Sequence, residues 1–350
     1  MIDIDILRNI EEEEGVSKDY IMEVIQAALQ AAYRKTFNGQ NSVVKIDLSR
    51  GSVKIYAEKT IVEQVENSVL EISNEEAKKF TDNVEIGGTV LIEIPTNKLS
   101  STGIRTARQV FQQKILEKKR EVAFEEFSGL VGTVITGRVT RKKGKGEIGV
   151  SIEPHNIEGV IISEEAIPGE QLRKDRLVKA LIKEVKSSVK GPQIILSRAC
   201  PEFLEKLVNM EVPEVQQGIV EVKAIVREPG LRAKMAVATK NLRVDPVGAC
   251  IGTKGVRINA VSRELNRERI DVIRYNTNPV VYIENALSPG KVERVEIIPK
   301  TKEANVYVSS KNYPSTLGGG GINVKLASNL TGYRIHLIEL SEEGDASEQK

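Results

Sequence analysis

Apolar residues recur at helical spacing from Ile21 to Tyr33: Ile21, Val24, Ile25, Ala28, Leu29, Ala32 and Tyr33 fall on one face behind a capping Ser17. Alternating runs follow at residues 43–48, 53–57, 61–65 and 89–94, and predict short strands. Residues 95–103 interrupt the pattern. Residues 104–127 then predict a long charged helix with Ala107, Val110, Phe111, Ile115, Val122 and Phe127 on or near one stripe. A helix of that length suits a rigid spacer. Residues 1–127 read as one α/β domain.

The pattern changes at residue 128. Val131, Val134, Val139, Ile148, Val150, Val160 and Ile161 sit in short runs broken by glycines, and Val178, Ala180, Ile182, Val185 and residues 194–196 continue the alternation. Five or six short strands in residues 128–199 predict a small barrel of the OB type. A β-sandwich fragment is the alternative, for which the segment is short. Residues 200–227 supply a connecting helix, with Phe203, Leu204 and Leu207 on its face, and a strand that Gly218 opens.

From residue 228 onward a pattern occurs twice. The first copy, which the strand opened by Gly218 precedes, has a strand at 234–239, a short helix from Pro246, Gly252-Thr253-Lys254-Gly255, a helix and a strand at 270–274. The second has strands at 292–298 and 303–308, a helical piece near Tyr313, Gly318-Gly319-Gly320-Gly321, a helix and a strand at 334–340. Strand, strand, helix, Gly-x-x-Gly, helix, strand is the order of the bacterial-type KH fold. Each copy pairs one sheet with one helix layer. The expected architecture is therefore multidomain α/β. It has an N-terminal α/β domain (1–127), an OB-type barrel (128–199) and two KH domains (200–276 and 277–345).

The two glycine loops carry the candidate chemistry. Glycine permits a tight turn and removes the Cβ that would keep a ligand backbone away. Free amides at a helix start attract phosphate. In KH modules such a loop clamps the backbone of single-stranded RNA. Gly252 and Gly255 shape the first loop, Lys254 adds a charge beside Thr253, and Arg257 and Arg263 lie on the following helix, whose Val256, Ala260 and Val261 are expected in the core. Ile251, Val272 and Ile273 are candidates for the groove that holds bases. In the second loop no side chain is present, and Lys325 is the nearest cation. Read alone, either loop is an ordinary surface turn or a flexible linker; the repeated context favours the clamp. In the barrel, Arg141, Lys142 and Lys143 are candidate phosphate contacts or a solvated hairpin. His155 is a candidate contact or a solvated residue. No Phe, Tyr or Trp occurs in residues 128–199, so base stacking has little to work with there.

Charge adds a division of labour. Residues 1–127 carry 17 basic and 22 acidic side chains, residues 128–199 carry 13 and 8, and residues 200–340 carry 20 and 15. An acidic front and a basic middle fit a protein-facing module beside an RNA-facing one. No long apolar run predicts a membrane span, and Cys200 and Cys250 lack a CxxC pattern. These features predict a cytoplasmic protein with reduced thiols. No sustained heptad appears, which favours a monomer.

Several of these segments resemble the bacterial transcription elongation, termination and antitermination factor NusA family. Residues 246–258 resemble its first KH loop, residues 268–273 and 285–289 the signature that follows, residues 323–332 its second KH helix, and residues 131–198 its S1 domain. The second loop departs from the family in having Gly319, Gly320 and Ile322, and the barrel in having Ile161-Ile162-Ser163. The resemblance implies a non-enzymatic factor without cofactor. Its first domain would bind the RNA polymerase core, its S1–KH–KH array would take nascent single-stranded RNA, and other antitermination factors would join it. An RNA-processing enzyme and an accessory RNA chaperone are the competing classes. No P-loop, HxH or HxxxE arrangement supports the enzyme.

Overall fold

The computed structural model describes residues 11, 15–37, 42–47, 52–142, 146–153, 157–188 and 192–340. The chain forms two compact units, Met1–Phe127 with Ser187–Pro192, and Ser128–Lys186 with Gln193–Lys350.

The first unit begins with helix α1 (Lys18–Phe37), whose Ile21, Val24, Ala28, Ala32 and Tyr33 are buried. It packs on a four-stranded sheet of β1 (Ser42–Asp47), β2 (Ser52–Val62), β3 (Glu71–Ser73) and β4 (Thr89–Ile94). The strand β2 replaces two expected strands. Its polar stretch Glu58–Thr60 stays extended because β4 pairs with it residue by residue, Glu58 opposite Leu91 and Lys59 opposite Val90. A short helix, α2 (Asn74–Ala77), is capped by the Ser73 hydroxyl, which accepts from the Glu76 amide at 3.3 Å. The long helix α3 (Ser101–Gly129) buries only Gly103 and Phe127. Gly103 is required by contact: a Cβ there would lie 2.4 Å from Thr36 Oγ1 and 2.7 Å from the Ala32 carbonyl of α1. Near it, Thr36 Oγ1 and Ser100 Oγ are 3.1 Å apart.

The second unit opens with β5 (Val134–Lys142), β6 (Ile148–Ile152), β7 (Ile157–Ile161), β8 (Leu177–Lys186) and β9 (Gln193–Ser197), which close into a barrel in the order β5-β6-β7-β9-β8. Within the barrel, among the described residues, β7 and β9 pair parallel and the other neighbours antiparallel. Alternating apolar residues, among them Val139, Val150, Ile161, Ile182, Ile194 and Leu196, are buried.

Helices α4 (Pro201–Glu211) and α5 (Pro213–Gln216) lead to β10 (Val220–Glu228), β11 (Arg232–Thr239), α6 (Pro246–Ile251), α7 (Val256–Glu264) and β12 (Arg269–Arg274). Helix α8 (Pro279–Ala286) starts at an Asn278 cap with proline at its first position. Then come β13 (Arg294–Ile298), β14 (Glu303–Ser309), α9 (Tyr313–Leu317), α10 (Ile322–Thr331) and β15 (Arg334–Leu340). The sheets β10-β11-β12 and β13-β14-β15 share one topology, an antiparallel pair followed by a parallel pair. These are the two KH folds.

The barrel is joined to the first KH fold by buried charge. Arg198, at the end of β9, is 1% exposed. Its Nη2 donates to Glu170 at 2.7 Å, and its Nη1 donates to Glu264 of α7 at 3.1 Å. Arg227 of β10 pairs with the fully buried Glu268, its Nη2 2.8 Å from Oε2, and donates to the Cys200 carbonyl at 2.7 Å. The two KH folds share a core as well. Ala236 and Ile273 of the first sheet pack in one cluster with Ile283, Ala304, Val306, Ala327 and Leu330 of the second fold. Ile273 therefore faces away from the first loop's groove, where sequence had put it, because alternate residues of β12 serve different cores. Ile270 and Val272 pack toward Val261 and Leu265.

Candidate nucleic-acid interface

Both glycine loops lie between a short helix and a longer one, and their backbones repeat each other. Gly252 has φ 74 and ψ 170, Gly318 φ 74 and ψ 161. At the third position Lys254 has φ 52 and ψ 26, Gly320 φ 62 and ψ 18. At the fourth, Gly255 has φ 76 and ψ 16, Gly321 φ 76 and ψ 11. Three left-handed residues in four explain the glycines, and Lys254 is the one L-residue among the six.

In each loop the first and last residues are half-buried and the middle two exposed. Gly252 and Gly255 donate to carbonyls of Gly248 and Gly252, and Gly318 and Gly321 donate to Pro314 and Gly318. Among the described residues, no group accepts from the amides of Thr253, Lys254, Gly319 or Gly320. Two unspent donors at each helix start, with no side chain crowding positions 319 and 320, form an opening for an anionic backbone.

The remaining candidates are placed unevenly. Ile251 is half-buried at the end of α6, and Arg263 is exposed on α7. Val256 is 64% exposed, contrary to expectation, because the inward stripe of α7 runs through Val261 and Leu265. Arg257 is engaged within the protein, its Nη1 donating to Glu214 at 2.8 Å and to the Ala249 carbonyl at 2.7 Å. Lys325 reaches Glu228 of β10 at 2.7 Å, a contact between the two KH folds. Arg141 and Lys142 belong to β5, with side chains outside the described residues, as are Lys143 and His155. Across the barrel's outer face Thr140 donates to Glu158 at 3.1 Å, over Gly149, whose Cβ would come 2.5 Å from that carboxylate. The residues that sequence reasoning missed are Glu214 and Asn323. Asn323 is fully buried, and its Nδ2 donates to the Thr316 and Leu287 carbonyls at 2.8 and 2.9 Å. A polar residue five places after the opening glycine was the available signal.

The model of the NusA N-terminal domain matches residues 4–121, that of the NusA-like first KH domain residues 198–275, and that of the NusA-like second KH domain residues 279–345. The chain belongs to the NusA family. It is 37% identical over 97% of its length to a transcription termination/antitermination protein NusA of Halalkalibacterium halodurans, covering 88% of that protein. It is 39% identical to that of Thermus thermophilus, covering 96% of this chain and 89% of the relative. To that of Bacillus subtilis it is 37% identical, covering 99% and 92%. Both loops fall inside the matched NusA-like KH domains. No described helix is long and apolar enough to cross a membrane.

Proposed function

We propose that this chain is a non-enzymatic transcription elongation factor that binds RNA polymerase and nascent single-stranded RNA, and so modulates pausing, intrinsic termination and antitermination. The observation that carries the RNA half is the pair of loops with matching torsions and two unspent amides each. The relatives' shared name, transcription termination/antitermination protein NusA, supports the polymerase half.

In this reading residues 1–127 face the polymerase core, and residues 128–199, 200–276 and 277–345 form the S1, first KH and second KH domains. The RNA backbone lies against Gly252, Thr253, Lys254 and Gly255, then against Gly318 to Gly321, with Ile251 under a base and Arg263 beside the strand. The barrel adds Arg141, Lys142 and Lys143 as phosphate contacts. Other antitermination factors join the complex. The protein works in the cytoplasm as a monomer, without cofactor.

Crosslinking to stalled transcription complexes, mapped on both protein and RNA, tests this. The expected crosslinks run from residues 1–127 to polymerase and from both glycine loops to the emerging transcript. Transcript crosslinks confined to residues 1–127, or none to polymerase, would overturn the assignment.

A further inference from the structure

Arg257 and Asn323 occupy the same place, five residues after the opening glycine of their loops. A Cβ on Gly252 would lie 2.8 Å from Arg257 Cγ, and one on Gly318 would lie 2.8 Å from Asn323 Cβ. Each side chain thus fills the space that its glycine vacates. Each also reaches back to a carbonyl at the end of the helix before the loop: Ala249 for Arg257 at 2.7 Å, Thr316 for Asn323 at 2.8 Å. Carbonyls there have no intrahelical partner, so a side-chain donor ties the helix end down.

Each has a second tether on a separate element. Arg257 holds Glu214 of α5 at 2.8 Å, and Asn323 holds the Leu287 carbonyl after α8 at 2.9 Å. Different chemistry, a guanidinium and an amide, produces the same cross-brace in two copies. One arm of the brace is the helix before the loop, the other the helix after it. The exposed amides between them are fixed only as well as those arms are.

We propose that Arg257 and Asn323 are positioning residues that set the RNA affinity of the two loops through loop geometry, neither touching the strand. This deepens the RNA-holding reading above and rests on it. It also reassigns Arg257, which sequence alone offers as a phosphate contact. Its Nη1 is committed to Glu214 and to the Ala249 carbonyl, and its stem lies against Gly252.

Salt titration separates the two roles. A cation that neutralises one phosphate of a single strand contributes about 0.7 to the slope of log K against log salt. Arg257→Met in the full chain is expected to weaken binding of a short single-stranded RNA severalfold with the slope unchanged. Arg257→Lys, which keeps the charge but loses the fork, is expected to show the same loss. Lys254→Met is the control and should lower the slope. A slope that falls by about 0.7 in Arg257→Met, with affinity kept in Arg257→Lys, would overturn the proposal.

Hydrogen exchange on the RNA-free chain gives a second readout. Arg257→Met should speed exchange at Gly252 and Gly255, and Asn323→Ser at Gly318 and Gly321. Exchange unchanged in the folded Arg257→Met variant would refute the brace. Wild-type protein that fails to bind RNA would refute the functional reading instead, while the exchange result still decides the brace.

Discussion

Lys254 and Gly320 hold the same position in two copies of one loop and the same left-handed backbone, φ 52 and φ 62. The first loop gains a cation at the cost of an L-residue in that region, roughly 1 kcal/mol. The second gives up the cation and avoids the strain. Four consecutive glycines thus preserve the loop conformation, and the copies differ in charge rather than in shape.

Exchange of those residues should move stability and electrostatics in opposite directions. Gly320→Lys should lower stability by about 1 kcal/mol and steepen the salt dependence of RNA binding by about 0.7. Lys254→Gly should do the reverse for the salt slope without loss of stability. Urea unfolding and binding isotherms between low and moderate salt measure both.

Lys234 gives the fold a pH signature. It is fully buried on β11, 3.1 Å from Asp271 Oδ2 and 2.9 Å from the Ser288 carbonyl. Burial pulls its ammonium down from 10.5 to about 8, against the attraction of Asp271 and with the help of Arg232 and Arg269. The unfolded chain therefore binds more protons between these values, so this group's contribution to stability rises with pH from about 8 to 10.5. Relative to Lys234→Met, the wild type should gain about 2 kcal/mol between pH 7.5 and pH 10. Denaturant unfolding of both proteins at the two pH values checks the sign, and a wild type that loses stability relative to the variant contradicts it.

Arg198 links the barrel to the first KH fold while nearly inaccessible to solvent. Arg198→Ala leaves Glu170, itself 5% exposed, without its counter-charge. A loss of about 3–5 kcal/mol is expected. Circular dichroism during urea unfolding should show the barrel and KH transitions separating in the variant.

Cys200 and Cys250 lie in the same apolar cluster as Phe203, Leu204 and Met235. Burial raises both thiols, Cys250 to about 11. Neither should react with an exposed-thiol reagent in the native protein at pH 8, and both should react in denaturant.

Much of this architecture was legible because the local signals were strong. Gly252 and Gly255 bracket a helix junction in a strand–helix context, and the second copy repeats it at Gly318 and Gly321. The alternation from Val134 to Leu196 matched a five-stranded barrel. What sequence misread depended on packing between elements. Ile273 looked like a groove residue because nothing in the first KH segment indicates that the second fold covers the back of its sheet. Glu58 and Lys59 looked like a break between strands because their polarity hides a backbone held by β4. Arg257 looked like a free cation because Glu214, its partner, lies 43 residues away. Helix α8 was missed, although Asn278 and Pro279 mark its start.

The most direct measurement is RNA affinity of the intact chain with acid placed on the exposed middle of each loop: Thr253→Asp with Lys254→Asp, and Gly319→Asp with Gly320→Asp. Aspartate tolerates the left-handed backbone, and no atom lies within 4 Å of a Cβ at 319 or 320, so folding should persist. Each pair should weaken binding of a short single-stranded RNA by at least about ten-fold, roughly 1.4 kcal/mol, with the circular dichroism spectrum unchanged. Affinity equal to wild type in both variants would contradict the claim that these loops hold the RNA backbone.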